Sequence, residues 1–113
     1  SQEDWITPTL LNTWIVHSPT YNQPGFFRDS FGIVHLRGLL RQSPTQTFTD
    51  GGNNSTIFTL PVGYRPQLRE LCATVSGNSP MGRVDITPDG QVIAVVGTSI
   101  HMSLDSITFR AIQ

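Results

Sequence analysis

The chain has 113 residues, enough for one domain with its own core, and carries a net charge of −1 with only 13% charged residues. Its seven basic residues are all dispersed arginines, which excludes the clustered cations a nucleic-acid partner requires. No apolar run approaches the ~20 residues of a membrane-spanning helix, and the single cysteine, Cys72, excludes an intrachain disulfide.

Residues 1–12, "SQEDWITPTLLN", show neither a signal-peptide pattern nor a clear pairing partner, and read as a tether or linker from a preceding part of a longer chain. From there to residue 113, glycines and prolines punctuate short runs rich in Val, Ile, Thr and Phe, and no segment sustains a 3.6-residue apolar period. This predicts one all-β antiparallel sandwich or barrel over 13–113, with strands near 13–17, 32–41, 56–60, 68–76, 83–87, 91–96 and 106–112. Trp14, flanked by Ile15 and Val16, belongs to the core.

The segment "SPTYNQPG" is rich in turn formers and exposes Tyr21 beside Asn22 and Gln23. In "FFRDSFGIVHLRGLL", period-two alternation puts Val34, Leu36, Gly38 and Leu40 on a core face. The opposite face, Ile33, His35, Arg37, Leu39 and Arg41, is too apolar for open water. It is read as a subunit interface, the alternative being a half-covered face within the chain. The loop 43–56 is the longest polar segment and is expected to be a mobile exposed tip. "LPVGYRP" reads as a rigid structural corner: Leu60 leads in, Pro61 and Pro66 fix φ, Gly63 permits a left-handed turn, and Tyr64 brings a ring with a polar tip. Arg65 there is placed to cap carbonyls or to pair with Asp29 or Asp105. In "RVDITPDGQVIAVV" the "PDG" turn joins a strand with one wet face (Arg83, Asp85, Thr87) to one that is apolar on both faces and hence central or covered.

The order "LLNTW…YN…FFRDSFGIVHLRGLL…IFTLPVGYRP…RVDITPDGQV…LDSITF" resembles a β-sandwich module that recurs in bacteriophage tail fibres, head fibres and baseplate proteins. The resemblance spans roughly residues 10–109, and "LPVGYRP" is its most specific piece. Two positions depart from the pattern: Thr13 and Ser106 stand where the module carries glycine. The resemblance implies a jelly-roll-like fold, a homotrimer, attachment to the rest of a fibre or virion protein, and a virion or extracellular location. It also implies recognition of a host-surface glycan, without supplying the ligand-contacting residues.

Other chemistry is sparse. His17, His35 and His101 share no metal-ligand spacing; the one loophole is a histidine on a threefold axis, for which His35 is the residue to check. "DITPDG" begins like a calcium loop, but the position of the closing Glu is Val96. Asp29, Asp50 and Asp105 are the acids that could converge, yet none forms the paired spacing of a glycosidase, no G-x-S-x-G elbow occurs, and Cys72 sits in an apolar run as an inert thiol. "NNST" matches the glycosylation sequon at Asn53 and Asn54 incidentally.

The expectation is therefore a non-enzymatic attachment module without cofactor or metal that recognises cell-surface carbohydrate. Rings beside amides and carboxylates suit a sugar. Tyr21, Asn22 and Gln23, together with Asp50, Asn53 and Asn54 of the polar loop, are its candidate ligand residues, with Trp5 a further ring near the start. The alternative is a structural trimerisation or capping domain without a ligand; a polysaccharide hydrolase is a third.

Overall fold

Period-two alternation organises the whole chain: in the computed structural model, which describes residues 2–44, 47–77 and 79–112, every ladder is antiparallel and no described residue is helical. The strands are β1 (Trp14–Val16), β2 (Gly25–Arg28), β3 (Ile33–Arg37), β4 (Leu39–Gln42), β5 (Thr56–Thr59), β6 (Glu70–Ser76), β7 (Ser79–Ile86), β8 (Gln91–Val96), β9 (Met102–Ser103) and β10 (Thr108–Arg110). They form sheets of order β10-β3-β2, β1-β4-β9 and β5-β8-β7-β6. The pairs β6–β7, β5–β8, β4–β9 and β3–β10 are nested one outside the next. A long two-stranded ribbon folded over in this way is the winding of a jelly roll. Between the layers lies one core, built on Trp14, Phe26, Val34, Leu36, Leu40, Phe58, Val84, Ile86 and Leu104.

The strand expected over 32–41 is two strands in two sheets. Gly38 breaks it at φ +125°, and a Cβ there would stand 2.6 Å from the Cα of Pro24. The alternation survives the bend, so Val34, Leu36 and Leu40 are all buried as expected. Asp105 accepts the Gly38 N–H (2.8 Å), and the Gly38 carbonyl accepts the Leu104 N–H (2.8 Å).

Two strands were not expected from the pattern. β9 is only two residues long, too short for periodicity to register. In β2 both Phe26 and Phe27 are buried, so alternation fails there. Phe26 enters the core against Phe58 and Tyr64, while Phe27 on the other face is covered by Trp5, whose ring meets it edge-on at 4.5 Å. That cover comes from the segment before β1. Ile6 bridges Phe26 through reciprocal backbone hydrogen bonds, Leu11 N–H donates to the Ile57 carbonyl (2.8 Å), and Ile6 and Leu10 pack on the core. Residues 2–12 thus run along the sandwich, and Ser1 lies outside the described residues.

The loop 43–56, apart from Thr45 and Gln46, which also lie outside the described residues, folds back on the body. Phe48 stacks on Trp14 at 5.7 Å, the Phe48 N–H donates to Gln42 Oε1, and Ser55 is buried. A methyl group at Gly51 would touch the side chains of Val95 and Ile93, so this loop covers the outer face of β8. β8 is therefore both central and covered, which accounts for its two apolar faces.

The outer face of β7 corrects one expectation. Asp85 is fully buried instead of wet, and Thr87 is nearly so. Arg69 Nε donates to Asp85 Oδ2 (2.8 Å) and Arg83 Nε to Oδ1 (2.8 Å), so two half-exposed guanidinium groups lie over one carboxylate. Burial alone would raise the Asp85 carboxyl. The hydrogen bonds from Arg83 and Arg69 outweigh it and hold the group below the ordinary carboxylate value.

In "LPVGYRP" the backbone turns at Gly63 (φ +101°), the Tyr64 N–H returns to the Pro61 carbonyl, and Arg65 Nε caps the Leu60 carbonyl at 2.8 Å rather than pairing with an acid. The Tyr64 hydroxyl donates to Glu3, and Arg28 Nη1 donates to the Gly63 carbonyl. Leu60 N–H donates to the Gly90 carbonyl, so the corner is also tied to the "PDG" turn.

The two departures from the module pattern fall on left-handed backbone: Thr13 at φ +63° and Ser106 at φ +68°. A β-branched or polar L-residue pays about 1–2 kcal/mol there, and glycine does not. Replacing Ser106 or Thr13 by glycine should therefore raise stability by about 0.5–1 kcal/mol each after the added unfolded-state entropy. Gly38→Ala should instead lower it by about 3 kcal/mol or more, through forbidden φ and overlap with Pro24. Urea unfolding monitored by tryptophan fluorescence checks both signs.

Candidate ligand groove

A concavity of about 680 Å³ follows the crease where β6 meets β9. The two strands are joined there by side chains. Thr74 Oγ1 donates to the Ser103 carbonyl and Ser76 Oγ to the His101 carbonyl, both at 2.6 Å. Apolar wall is supplied by Leu39, Ala73 and Val75, and polar wall by His101, Ser103, Asp105 and Ser106. Tyr21, 56% exposed, projects at the rim.

The connection from β1 to β2 positions this rim. Leu39 N–H donates to the Asn22 carbonyl (3.0 Å), Asn22 Nδ2 donates to Asp105 Oδ1 (3.2 Å), and Gln23 Nε2 donates to the Ser18 carbonyl (3.2 Å). Asn22 and Gln23 therefore shape the turn that presents Tyr21. Asp105 is held at Oδ1 by the Gly38 and Asn22 donors, and the Asp105 N–H donates to Ser103 Oγ (3.1 Å).

Beside the rim lies a pair that sequence reasoning missed. The rings of His17 and His101 stack with centroids 4.4 Å apart, and Tyr21 meets His17 edge-on at 5.5 Å. His17 is held by its N–H to the Leu39 carbonyl, and its Nδ1 lies 3.3 Å from Ser18 Oγ. No local signal could have found this pair: one histidine follows β1, the other precedes β9, and they meet because β1 and β9 flank β4 in one sheet. Burial, then the neighbouring His101 and then Arg41, push His17 below its ordinary value of 6.5.

The remaining expected site residues lie elsewhere. Asp50, Asn53 and Asn54 are not in the groove wall; Asn54 gives its carbonyl to Trp14 Nε1 (3.0 Å) and Gln42 Nε2 (2.8 Å), and so supports the core side of the loop. Trp14 is buried, whereas Trp5 lies under the Arg37 guanidinium at 4.2 Å. On the face of Ile33, His35, Arg37, Leu39 and Arg41 each residue is half-buried. His35 stacks on Phe27 at 4.6 Å and its Nε2 lies 2.8 Å from Asp29 Oδ2, so part of that face has cover from its own chain. Leu39 belongs to the groove and Arg41 lies towards His17.

Among the described residues no cluster of three or more metal-ligating side chains occurs, and Asp29 and Asp105 end in separate hydrogen-bond sets. Cys72 is half-buried on β6, and burial, reinforced by Glu70 and Asp85, pushes its thiol up to about 11, far from a reactive thiolate. Among the described residues no helix is long and apolar enough to cross a membrane. The arrangement places an aromatic ring, hydroxyls, an imidazole and a carboxylate around an open slot.

No family model, no curated protein and no solved structure matches the chain.

The lowered His17 makes stability depend on pH with a definite sign. The unfolded chain takes up the proton first, so the contribution is complete above pH 6.5 and declines as the pH falls through that value towards the lower folded one. The urea midpoint should thus drop between about pH 7.5 and about pH 5, above the carboxylate range. In His17→Phe, which keeps a ring on His101, the drop should shrink; an unchanged pH profile would remove the His17–His101 stack as its origin.

Proposed function

We propose that the chain is a non-enzymatic attachment module of a phage fibre or virion protein, that it works as a homotrimer, and that it recognises cell-surface carbohydrate. The observation that carries this reading is the groove at the β6–β9 crease with Tyr21 at its rim. Sugars present an apolar ring face and a periphery of hydroxyls. Tyr21, Ala73 and Val75 suit the first, and Ser103, Asp105, Ser106 and His101 the second.

Two further points support it. The winding is jelly-roll-like, as the resemblance to phage fibre modules implies, and both positions where this chain replaces a glycine of that pattern, Thr13 and Ser106, are among the five described non-glycine residues with positive φ. A conformation that asks for glycine at 13 and 106 is what a module of that pattern needs, whichever residue occupies the positions. Of the acids considered for hydrolysis, Asp29 spends both oxygens on His35 and on backbone donors, and Asp105 spends Oδ1 on the Gly38 and Asn22 donors.

A glycan array and titration with bacterial surface polysaccharide test the proposal. The 113-residue chain should bind a sugar class with millimolar or better affinity. Tyr21→Ala, exposed and outside the core, should weaken binding by about tenfold, the loss of one ring contact of ~1.4 kcal/mol. Asn53→Ala, remote from the groove wall, should leave binding unchanged. Absence of binding across the array would favour the structural capping role, and release of reducing sugar from the polysaccharide would replace both with a hydrolase.

A further inference from the structure

Among the described residues, the loop 43–56 meets the outer face of the four-stranded sheet over β8, at Ile93 and Val95, while β6 turns apolar side chains to the surface. Leu71 (61% exposed), Ala73 and Val75 (56%) stand in a row on β6, Val96 (47%) stands beyond them on β8, and the arginine-capped Asp85 lies in the middle. We propose that this face is where a second copy of the chain docks, so that copies join by a heterologous contact that closes into a ring. The inference rests on the homotrimer in the reading above and assigns its surface.

Its chemistry fits a protein partner better than a sugar. The face is flat and aliphatic, without an aromatic ring, and its cations are arginines. Arginine and aliphatic side chains at a lysine-free surface are what the centre of a protein interface favours. Arg69 and Arg83 reach Asp85 through Nε, with Arg83 adding Nη2, so Arg69 keeps both terminal nitrogens at the surface for a further acceptor.

Charge argues for a copy of the same chain in a heterologous arrangement. The face holds two arginines and one aspartate; the other five arginines share the rest of the molecule with seven carboxylates. A cationic face and an acid-rich remainder complement each other between copies, whereas two such faces meeting symmetrically would repel. A stable contact takes ~800 Å² per partner, roughly an eighth of this chain's 6123 Å² of surface. The β6–β7 strip, with Val96 at its edge, its arginine stems and the groove wall, is able to supply its apolar centre. By comparison, the Ile33–His35–Arg37 face already has Trp5, Phe27 and Asp29 against it.

The contact would also bear on the groove, because Ala73 and Val75 belong to both surfaces. A neighbour seated on β6 therefore forms the outer bank of the groove.

Light scattering on the 113-residue chain, with Leu71→Glu and Val96→Arg as variants, tests this. Neither residue lines the groove, and both are exposed enough for the fold to persist, which far-UV circular dichroism checks. The wild type should run as a multiple of 12.5 kDa and each variant at 12.5 kDa, while Ile33→Glu should stay assembled. Leu71→Cys provides an independent measurement: a thiol-to-carboxyl cross-linker should join copies through it, the half-buried Cys72, its thiol pushed up to about 11, staying unreactive. A wild type at 12.5 kDa, or a Leu71→Glu variant that remains assembled, overturns the proposal. Loss of sugar binding in Tyr21→Ala with assembly intact touches only the groove, so the two readings fail separately.

Discussion

Asp105 and Gly38 meet at the bend between β3 and β4, and that contact sets the relation between the two three-stranded sheets. A strand that passes from one sheet into another needs a residue able to adopt φ +125° with no side chain towards Pro24. Only glycine satisfies both conditions. The amide this exposes is bound by a carboxylate that also holds Asn22, and the carbonyl is bound by Leu104. Three separate parts of the chain, the β1–β2 connection, the bend and the turn before β10, thereby share one hydrogen-bond node. Tyr21 is adjacent to that node, and Ser106 takes its left-handed conformation next to it, so the groove inherits its shape from the bend.

Much of the fold was legible because burial on one face of a strand imposes a period of two. Val34, Leu36, Leu40, Val84 and Ile86 all lie where alternation put them. "LPVGYRP" was legible for another reason: proline and glycine restrict the backbone locally, so the corner needed no knowledge of its neighbours. The "PDG" turn is of the same kind. What stayed hidden depends on contacts between distant segments. Phe27 is buried because Trp5 reaches over β2, and Asp85 because Arg69 and Arg83 fold across it. Neither cover has any periodic trace. The bend was hidden for a subtler reason: alternation continues through Gly38, so the pattern on its two sides is that of one straight strand.

The candidate site was half legible. Tyr21 was identifiable as exposed from its turn-rich setting, but its companions were not, since the groove wall is assembled from β6, β9 and the turn after β9. The polar loop attracted attention by composition, yet amides there serve the loop itself: the Asn54 side chain donates to the Thr47 carbonyl, and the Gln42 side chain joins the Asn12 and Asn54 carbonyls and the Phe48 N–H. Buried polar groups must be paired, and in a chain with few charges that task falls to amides and hydroxyls. Amide-rich composition is thus as much a sign of internal satisfaction as of ligand contact.

The crease between β6 and β9 has a consequence for how such a module tolerates crowding. Sheet edges are hazardous because their open carbonyls and amides template the pairing of stray strands. Here the carbonyls of His101 and Ser103 on the β9 side are occupied by the hydroxyls of Ser76 and Thr74 rather than by a backbone ladder. Two short side chains thus seal an edge that a two-residue strand could not seal by itself. The chain can present apolar faces to its surroundings while withholding that edge from aggregation.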